Sequence, residues 1–248
     1  VVVFLLTFFI LLSQVFTSSF ALADNKVPFT IFHTNDMHGR LGYEEYKGKP
    51  SSFGSAREKA LIDKEKKENP NRTVIALDAG DAFQGLPVSN QSKGQDMAKA
   101  MNEIGYKAMA AGNHEFDFGL DTVEKYKKDP QNGGWLNFPI LSTNVYKDGK
   151  RLFEPSTIIN ENGVKIGIVG VTTPETATKT NPTGIKGVTF KKPIPEVTNE
   201  ITKIKDKVDF IAVLAHLGDD TTTLEDEKGS ALAAALKANP LFAGTSIF

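Results

Sequence analysis

Apolar residues in this chain come in short runs separated by polar, glycine-rich and proline-rich punctuation, and the runs alternate in period. Phe29-Thr30-Ile31-Phe32-His33, Val74-Ile75-Ala76-Leu77, Tyr106 to Ala111 and Pro139 to Asn144 are bounded by turn formers. So are Val164 to Val171 and Phe210 to Ala215, and each run predicts a strand. Between them the spacing turns helical. Ser55 to Glu68 predicts a helix with a weak apolar face at Ala56, Ala60 and Ile62, stopped by Asn69-Pro70. Gln95 to Ile104 puts Met97, Met101 and Ile104 on one face, with Gly105 where a C-terminal cap belongs. Asp121 to Glu124 has the spacing of a capping box and predicts a helix running to Lys128. Pro195 to Lys207 turns Val197, Ile201 and Ile204 inward, and Ser230 to Ala238 is an alanine-rich helix stopped by Asn239-Pro240. Asp148-Gly149 and Asn162-Gly163 are hairpin turns with the strand-like Thr157-Ile158-Ile159 between them. Gly42 to Gly54 reads as loop, Trp135 as packing at a loop edge, and Ser246-Ile247-Phe248 as the start of a further strand. Strands alternating with helices define an α/β chain.

One apolar run is of another kind. Residues 1–23 carry no charge, Val1 to Leu12 is almost wholly apolar, and Ala21-Leu22-Ala23 offers small residues before a cut at Asp24. This predicts a secretory signal peptide, and therefore an exported protein with no stable membrane span after cleavage. A positive n-region and an initiating Met are missing, so the N-terminus is expected to be incomplete. Residues 24–248 then form the folded part.

Composition narrows the chemistry. The length of 248 residues suits one large domain or two small ones. A net charge of −1 provides no basic surface for a nucleic acid polymer. With no cysteine there is no disulfide, thiolate nucleophile or zinc–cysteine site, so a metal would take His, Asp, Glu or Asn.

The predicted strands end in such residues. Asp36-x-His38 follows the first, and in extended backbone the two side chains would share a face. Asp78 and Asp81 both follow the second, and Asp81, beyond Gly80, is the better ligand candidate. Gly112-Asn113-His114-Glu115-Phe116-Asp117 follows the third, where Asp117 reaches the His114 ring if a helical turn begins there. His216 ends the last strand. Three of the four histidines thus sit at strand ends, where sites of α/β sheets form. His33, inside a strand, is expected to be a satisfied structural histidine. Such a set of donors suits a two-metal hydrolase, in which ions roughly 3.5–4 Å apart clamp a phosphoryl group and activate water. Asp81 is the natural bridge.

In order, Asp36-x-His38, Gly80-Asp81, Gly112-Asn113-His114-Glu115 and His216 resemble the pattern of the calcineurin-like metallophosphoesterases. Phe32 to Gly39, Asp78 to Gly85, Gly112 to Asp117 and Val169 to Glu175 are similar to the secreted bacterial 5′-nucleotidase family, especially its Gram-positive, surface-associated, adenosine-producing members. The resemblance implies a metallophosphoesterase fold, a two-sheet β-sandwich flanked by helices (αββα). It implies that Asp36 and His38 hold one divalent ion, that Asp81 bridges, and that Asn113 and His216 hold the second. Asn113 and His114 would face the substrate phosphate, and Asp117 would orient His114. The ions expected are Zn, Mn or Co, and the substrate a nucleotide such as AMP. A 2′,3′-cyclic nucleotide phosphodiesterase of the same architecture stays open, as does a non-catalytic surface binding module. The pattern continues in the family with Gly-His-x-His on a following strand and with a nucleoside-recognition domain. Neither occurs here, so the chain is expected to be a catalytic domain truncated before its last strands, weakly active alone. Cell-wall association through a further C-terminal segment is also open.

Overall fold

The computed structural model describes residues 28–248, so the apolar segment read as a signal peptide lies outside the described residues. In chain order the strands are β1 (Phe29–Thr34), β2 (Glu44–Tyr46), β3 (Lys49–Ser52), β4 (Thr73–Asp78), β5 (Tyr106–Ala110) and β6 (Ile140–Leu141). They continue with β7 (Val145–Lys147), β8 (Lys150–Arg151), β9 (Ser156–Glu161), β10 (Val164–Thr172), β11 (Val188–Phe190) and β12 (Phe210–His216). The helices are α1 (Ser55–Glu68), α2 (Pro87–Asn90), α3 (Gln95–Ile104), α4 (Leu120–Tyr126), α5 (Thr176–Lys179), α6 (Pro193–Ile204) and α7 (Gly229–Ala238).

Alternation along the strands builds the layers. The first sheet is parallel, in the order β1-β4-β5-β6. The second places β10 between β12, parallel to it, and β9, antiparallel. Ile75, Leu77, Ala108 and Ala110 of the first sheet meet Ile166, Ile168, Ala212 and Leu214 of the second. The intervening residues Val74 and Ala76 point the other way, towards Ile62, Met97 and Met101 of the covering helices. On the far side Val169, Val171 and Ile211 lie under Val197, Ile201, Leu232 and Leu236. Successive side chains of one strand therefore enter different cores, as a period of two requires. The result is the expected two-sheet αββα sandwich. At Gly170 the two sheets approach closely, since a Cβ there would lie 2.4 Å from the Leu141 carbonyl oxygen.

Four local readings change. Residues 44–52, read as loop, form the exposed hairpin β2–β3, turned by Lys47 and Gly48 in the left-handed region. Its strands carry no apolar alternation because neither face is buried. In α1, Ala56 and Ala60 face solvent, and the inward row is Ser55, Glu58, Ile62 and Glu65. Glu58 and Glu65 escape an apolar count because they are polar, yet each meets a partner inside, Tyr106 for Glu58 and Thr30 and Arg72 for Glu65. Asp121 lies in the first turn of α4 and does not cap it; Gly119 holds the cap position. α6 begins at Pro193, two residues earlier than read, and ends in a 3₁₀ turn over Lys205–Lys207. Ile247 pairs with Ile211 of β12, so the C-terminal segment does join that sheet edge.

Candidate active site

Loops leaving β1, β4, β5 and β12 meet at one end of the sandwich. The first two run side by side beyond their strands. Asp36 donates its N–H to the Gly80 carbonyl at 2.9 Å, His38 to Asp81 at 2.9 Å and Gly39 to Ala82 at 2.9 Å. Asp36, His38 and Asp81 all have left-handed backbones, with φ of 53°, 47° and 60°. Such angles are uncommon for side chains with a Cβ and gather at functional sites. Asp36 and His38 therefore converge through a tight turn, not through the shared face of an extended strand. Gly112 lets the β5 loop cross this turn, since a Cβ there would sit 2.2 Å from Asp81 Oδ1.

Asp81 is almost fully buried at the centre. Its Oδ1 accepts the His114 N–H at 2.8 Å. Its Oδ2 lies 3.2 Å from His216 Nε2 and 4.0 Å from His38 Nε2. Asp36 Oδ1 is 3.7 Å from the same His38 nitrogen. Asn113 Oδ1 is 3.1 Å from His216 Nε2. Ligand atoms of Asp36, Asp81 and His216 all lie within 4.8 Å of one another.

The second nitrogens of these histidines are also placed. His38 Nδ1 is 2.9 Å from the Gln84 carbonyl oxygen and His216 Nδ1 is 3.0 Å from that of Ala79. A carbonyl only accepts, so each Nδ1 carries the hydrogen and each Nε2 is turned to the centre. Lone pairs facing carboxylate oxygens repel unless a proton or a cation lies between them. Burial works against a charged His216, but the hydrogen bond and charge of Asp81, with Glu115 and Asp36 beyond, push it up to about 9. Burial likewise opposes ionisation of Asp81, yet His216 and the His114 N–H hold its carboxyl below the usual range. The donor set is oxygen and imidazole nitrogen throughout, which fits borderline divalent ions.

His114 stands slightly apart, its ring 5.3 Å from that of His38. The 3₁₀ turn His114–Phe116 brings Asp117 Oδ2 to 2.7 Å from His114 Nδ1. That bond leaves Nε2 uncommitted to Asp117. Burial lowers the readiness of this ring to charge, but the Asp117 bond and the Asp81, Asp117 and Glu115 charges outweigh it and raise its pKa.

The structure thus brings together Asp36, His38, Asp81, Asn113, His114, Asp117 and His216. It does not support the reading of His33. That side chain is exposed on edge strand β1 and lines the same cleft of about 710 Å³ as Asp36, Asn113 and His216. At this end of the edge strand no apolar layer covers it.

Two further residues belong to the site's frame. Glu115, given no role in the sequence reading, is fully buried beneath it. Its Oε2 accepts the N–H of Asp81 at 2.8 Å and of Gly112 at 2.7 Å, and its Oε1 that of Ala82 at 2.9 Å. It ties the β4 loop to the β5 loop. Burial and the Asp81 charge push its pKa up to about 7, against the pull of these N–H donors. Thr180 donates its hydroxyl to Asp117 Oδ1, so both carboxylate oxygens of Asp117 are held. Its loop is keyed in place at Gly184, where a Cβ would meet the Phe116 carbonyl oxygen at 2.2 Å. Nothing local in the sequence marks Thr180, which lies 63 residues from its partner.

Convergent carboxylate, imidazole and amide donors at the strand ends of an αββα sandwich define a hydrolase of the metal-dependent class. A family model described as calcineurin-like phosphoesterase matches residues 29–241. The chain belongs to the calcineurin-like phosphoesterase family. It is 40% identical over 202 residues to a 5′-nucleotidase of Vibrio cholerae, covering 79% of this chain and 35% of that protein. It is 35% identical over 220 residues to protein UshA of Escherichia coli, covering 86% and 38%. The crystal structure of a 5′-nucleotidase precursor from Thermus thermophilus superposes with a TM-score of 0.64 at 34% identity, covering 76% of this chain and 37% of that one. The chain spans a little over one third of the length of these relatives. Divalent metals serve this family, and the residues gathered here fit them.

Proposed function

We propose that the chain is the catalytic part of an exported 5′-nucleotidase that hydrolyses phosphate monoesters such as AMP to nucleoside and phosphate. One observation carries the reading: Asp81 Oδ2 lies within 4.0 Å of the Nε2 atoms of both His38 and His216, whose Nδ1 atoms are both committed to carbonyls. Asp36 and His38 would hold one ion, Asn113 and His216 a second, with Asp81 shared; Mn, Zn and Co suit these donors. When bound, the ions would supply Lewis-acid stabilisation of the phosphoryl oxygens and a nucleophilic water. The chain's own residues do the rest. Asn113 and His114 face the phosphate, and His114 donates from Nε2 to a phosphoryl oxygen as charge builds there. Asp117 keeps the ring in that orientation by accepting from Nδ1. Similarity to proteins named 5′-nucleotidase supports the nucleotide substrate. Residues 1–23, uncharged and almost wholly apolar over Val1 to Leu12, support export. Among the described residues no helix is long and apolar enough to cross a membrane.

The test is phosphate release by the purified protein from AMP and from 2′,3′-cyclic AMP, with Mn²⁺, Co²⁺ or Zn²⁺ and then with chelator. Release from AMP that needs metal is expected. Activity that persists in His216→Ala under excess chelator would defeat the proposal, and turnover of the cyclic ester alone would redirect it.

A second, smaller effect follows from the Asp117 frame. Thr180→Val removes one hydrogen bond, so kcat is expected to fall roughly three- to tenfold with KM little changed. Thr180→Ser should restore it. An unchanged kcat in Thr180→Val would show that Asp117 holds His114 unaided.

A further inference from the structure

Asp78 is a buried carboxyl that the site does not use. It ends β4 and is fully buried. Its hydrogen bonds lead away from the candidate ligands. Oδ1 accepts the Gly80 N–H at 2.8 Å, which holds the glycine that turns the chain into Asp81. Oδ2 lies 2.6 Å from Thr34 Oγ1, its register partner on β1. Thr34 Oγ1 is 2.7 Å from the Tyr106 hydroxyl, which is itself hydrogen-bonded to Glu58.

Carboxyl, hydroxyl, hydroxyl and carboxyl therefore stand in a row joined by three hydrogen bonds. Each bond needs one proton. Thr34 and Tyr106 have one each, and ionised carboxylates have none. The third proton must sit on a carboxyl. Asp78 is the end with no access to water, and it faces the acidic Glu115 and Glu58 with no cation among the groups that act on it. Glu58 is only half-buried and lines a groove open beside Asp36 and Arg40.

We propose that Asp78 is a neutral positioning residue: its carboxyl keeps its proton at neutral pH, donates it into the Thr34–Tyr106–Glu58 chain, and with its other oxygen holds the Gly80–Asp81 turn under the candidate metal site. The bonds then run one way, from Asp78 to Thr34, from Thr34 to Tyr106 and from Tyr106 to the Glu58 carboxylate. Burial, opposed by the Thr34 and Gly80 bonds and helped by the Glu115 and Glu58 charges, pushes Asp78 up to about 8. A neutral acid here also spares the crowded site one negative charge.

The role of Asp78 towards metal rests on the reading of Asp81 as a ligand; its protonation does not. Infrared spectra of the purified protein at neutral pH are expected to show the carbonyl stretch of a buried protonated carboxyl. The band should vanish in Asp78→Asn and persist in Glu58→Gln. Asn mimics the neutral acid, donating to Thr34 and accepting from Gly80. Its Mn²⁺ affinity by calorimetry is therefore expected within about threefold of the parent, while Asp78→Ala binds roughly tenfold more weakly. The folded state binds the extra proton, so parent stability relative to Asp78→Asn should fall as pH rises from 3.8 to about 8. Absence of the band, its loss in Glu58→Gln instead, or an Asp78→Asn affinity as weak as that of Asp78→Ala would overturn the proposal. If the parent binds no Mn²⁺, the band still decides the protonation, and the function proposed above is what fails.

Discussion

Asp81→Ala is expected to lower divalent-metal affinity by more than about 100-fold, the largest loss from any single change at this site. Replacing a group that only orients a ligand typically costs about 10–100-fold. Asp81 is more than that, because its Oδ2 stands against both histidine Nε2 atoms while Oδ1 holds the His114 N–H. Its removal withdraws the carboxylate that the ions would share on the proposed reading, leaves the His114 N–H without that acceptor, and strips His216 of its nearest counter-charge. Asp81→Asn separates these roles. It retains an oxygen for the His114 N–H and much of the shape, but loses the charge. Calorimetry with Mn²⁺ should show both variants losing affinity, while thermal melting of metal-free protein should show the larger loss for Ala. Near-parental affinity in Asp81→Asn would mean that the carboxylate charge is not shared between ions.

Glu115→Gln is expected to be the most damaging conservative change outside the proposed ligands. The Glu115 carboxylate accepts three backbone N–H groups with two oxygens, in a place without water. Glutamine keeps one oxygen, which can serve Asp81 and Gly112. Its amide then points donors at the Ala82 N–H. An unsatisfied buried donor costs about 1–3 kcal/mol, and the opposed donors raise this to about 3 kcal/mol or more. For a chain of this size the melting temperature should fall by roughly 6–12 °C. Metal affinity should fall too, by roughly 10–100-fold, because the clamp joins the loop of Asp81 to that of Asn113 and His114. A Glu115→Gln protein with unchanged melting and unchanged affinity would show that other contacts hold the two loops together.

These residues mark what a linear reading can reach. Val74 to Leu77 was legible as a buried strand because alternate residues enter different cores, a property of each residue and its neighbours. Met97, Met101 and Ile104 were legible for the same reason at helical spacing. The donors at strand ends stood out because polar chemistry directly after an apolar run needs a partner. Asp148-Gly149 and Asn162-Gly163 turned as read, since left-handed φ is cheap for these residue types.

What the sequence determined by itself was therefore local: the periods of its strands and helices, its hairpin turns, and which strand ends carry candidate metal-binding side chains. Tertiary structure alone decided how those ends are held. It set the left-handed turns of Asp36, His38 and Asp81, and the exposure of His33. It set the clamp of Glu115 on N–H groups up to 34 residues away and the hold of Thr180 on Asp117 across 63. It also turned Glu58 inward to meet Tyr106, 48 residues on, which no apolar pattern predicts. The physical reason is that periodicity and turn propensity belong to neighbours in the chain. The partner of a buried carboxyl is chosen by whichever strand or loop folding brings beside it.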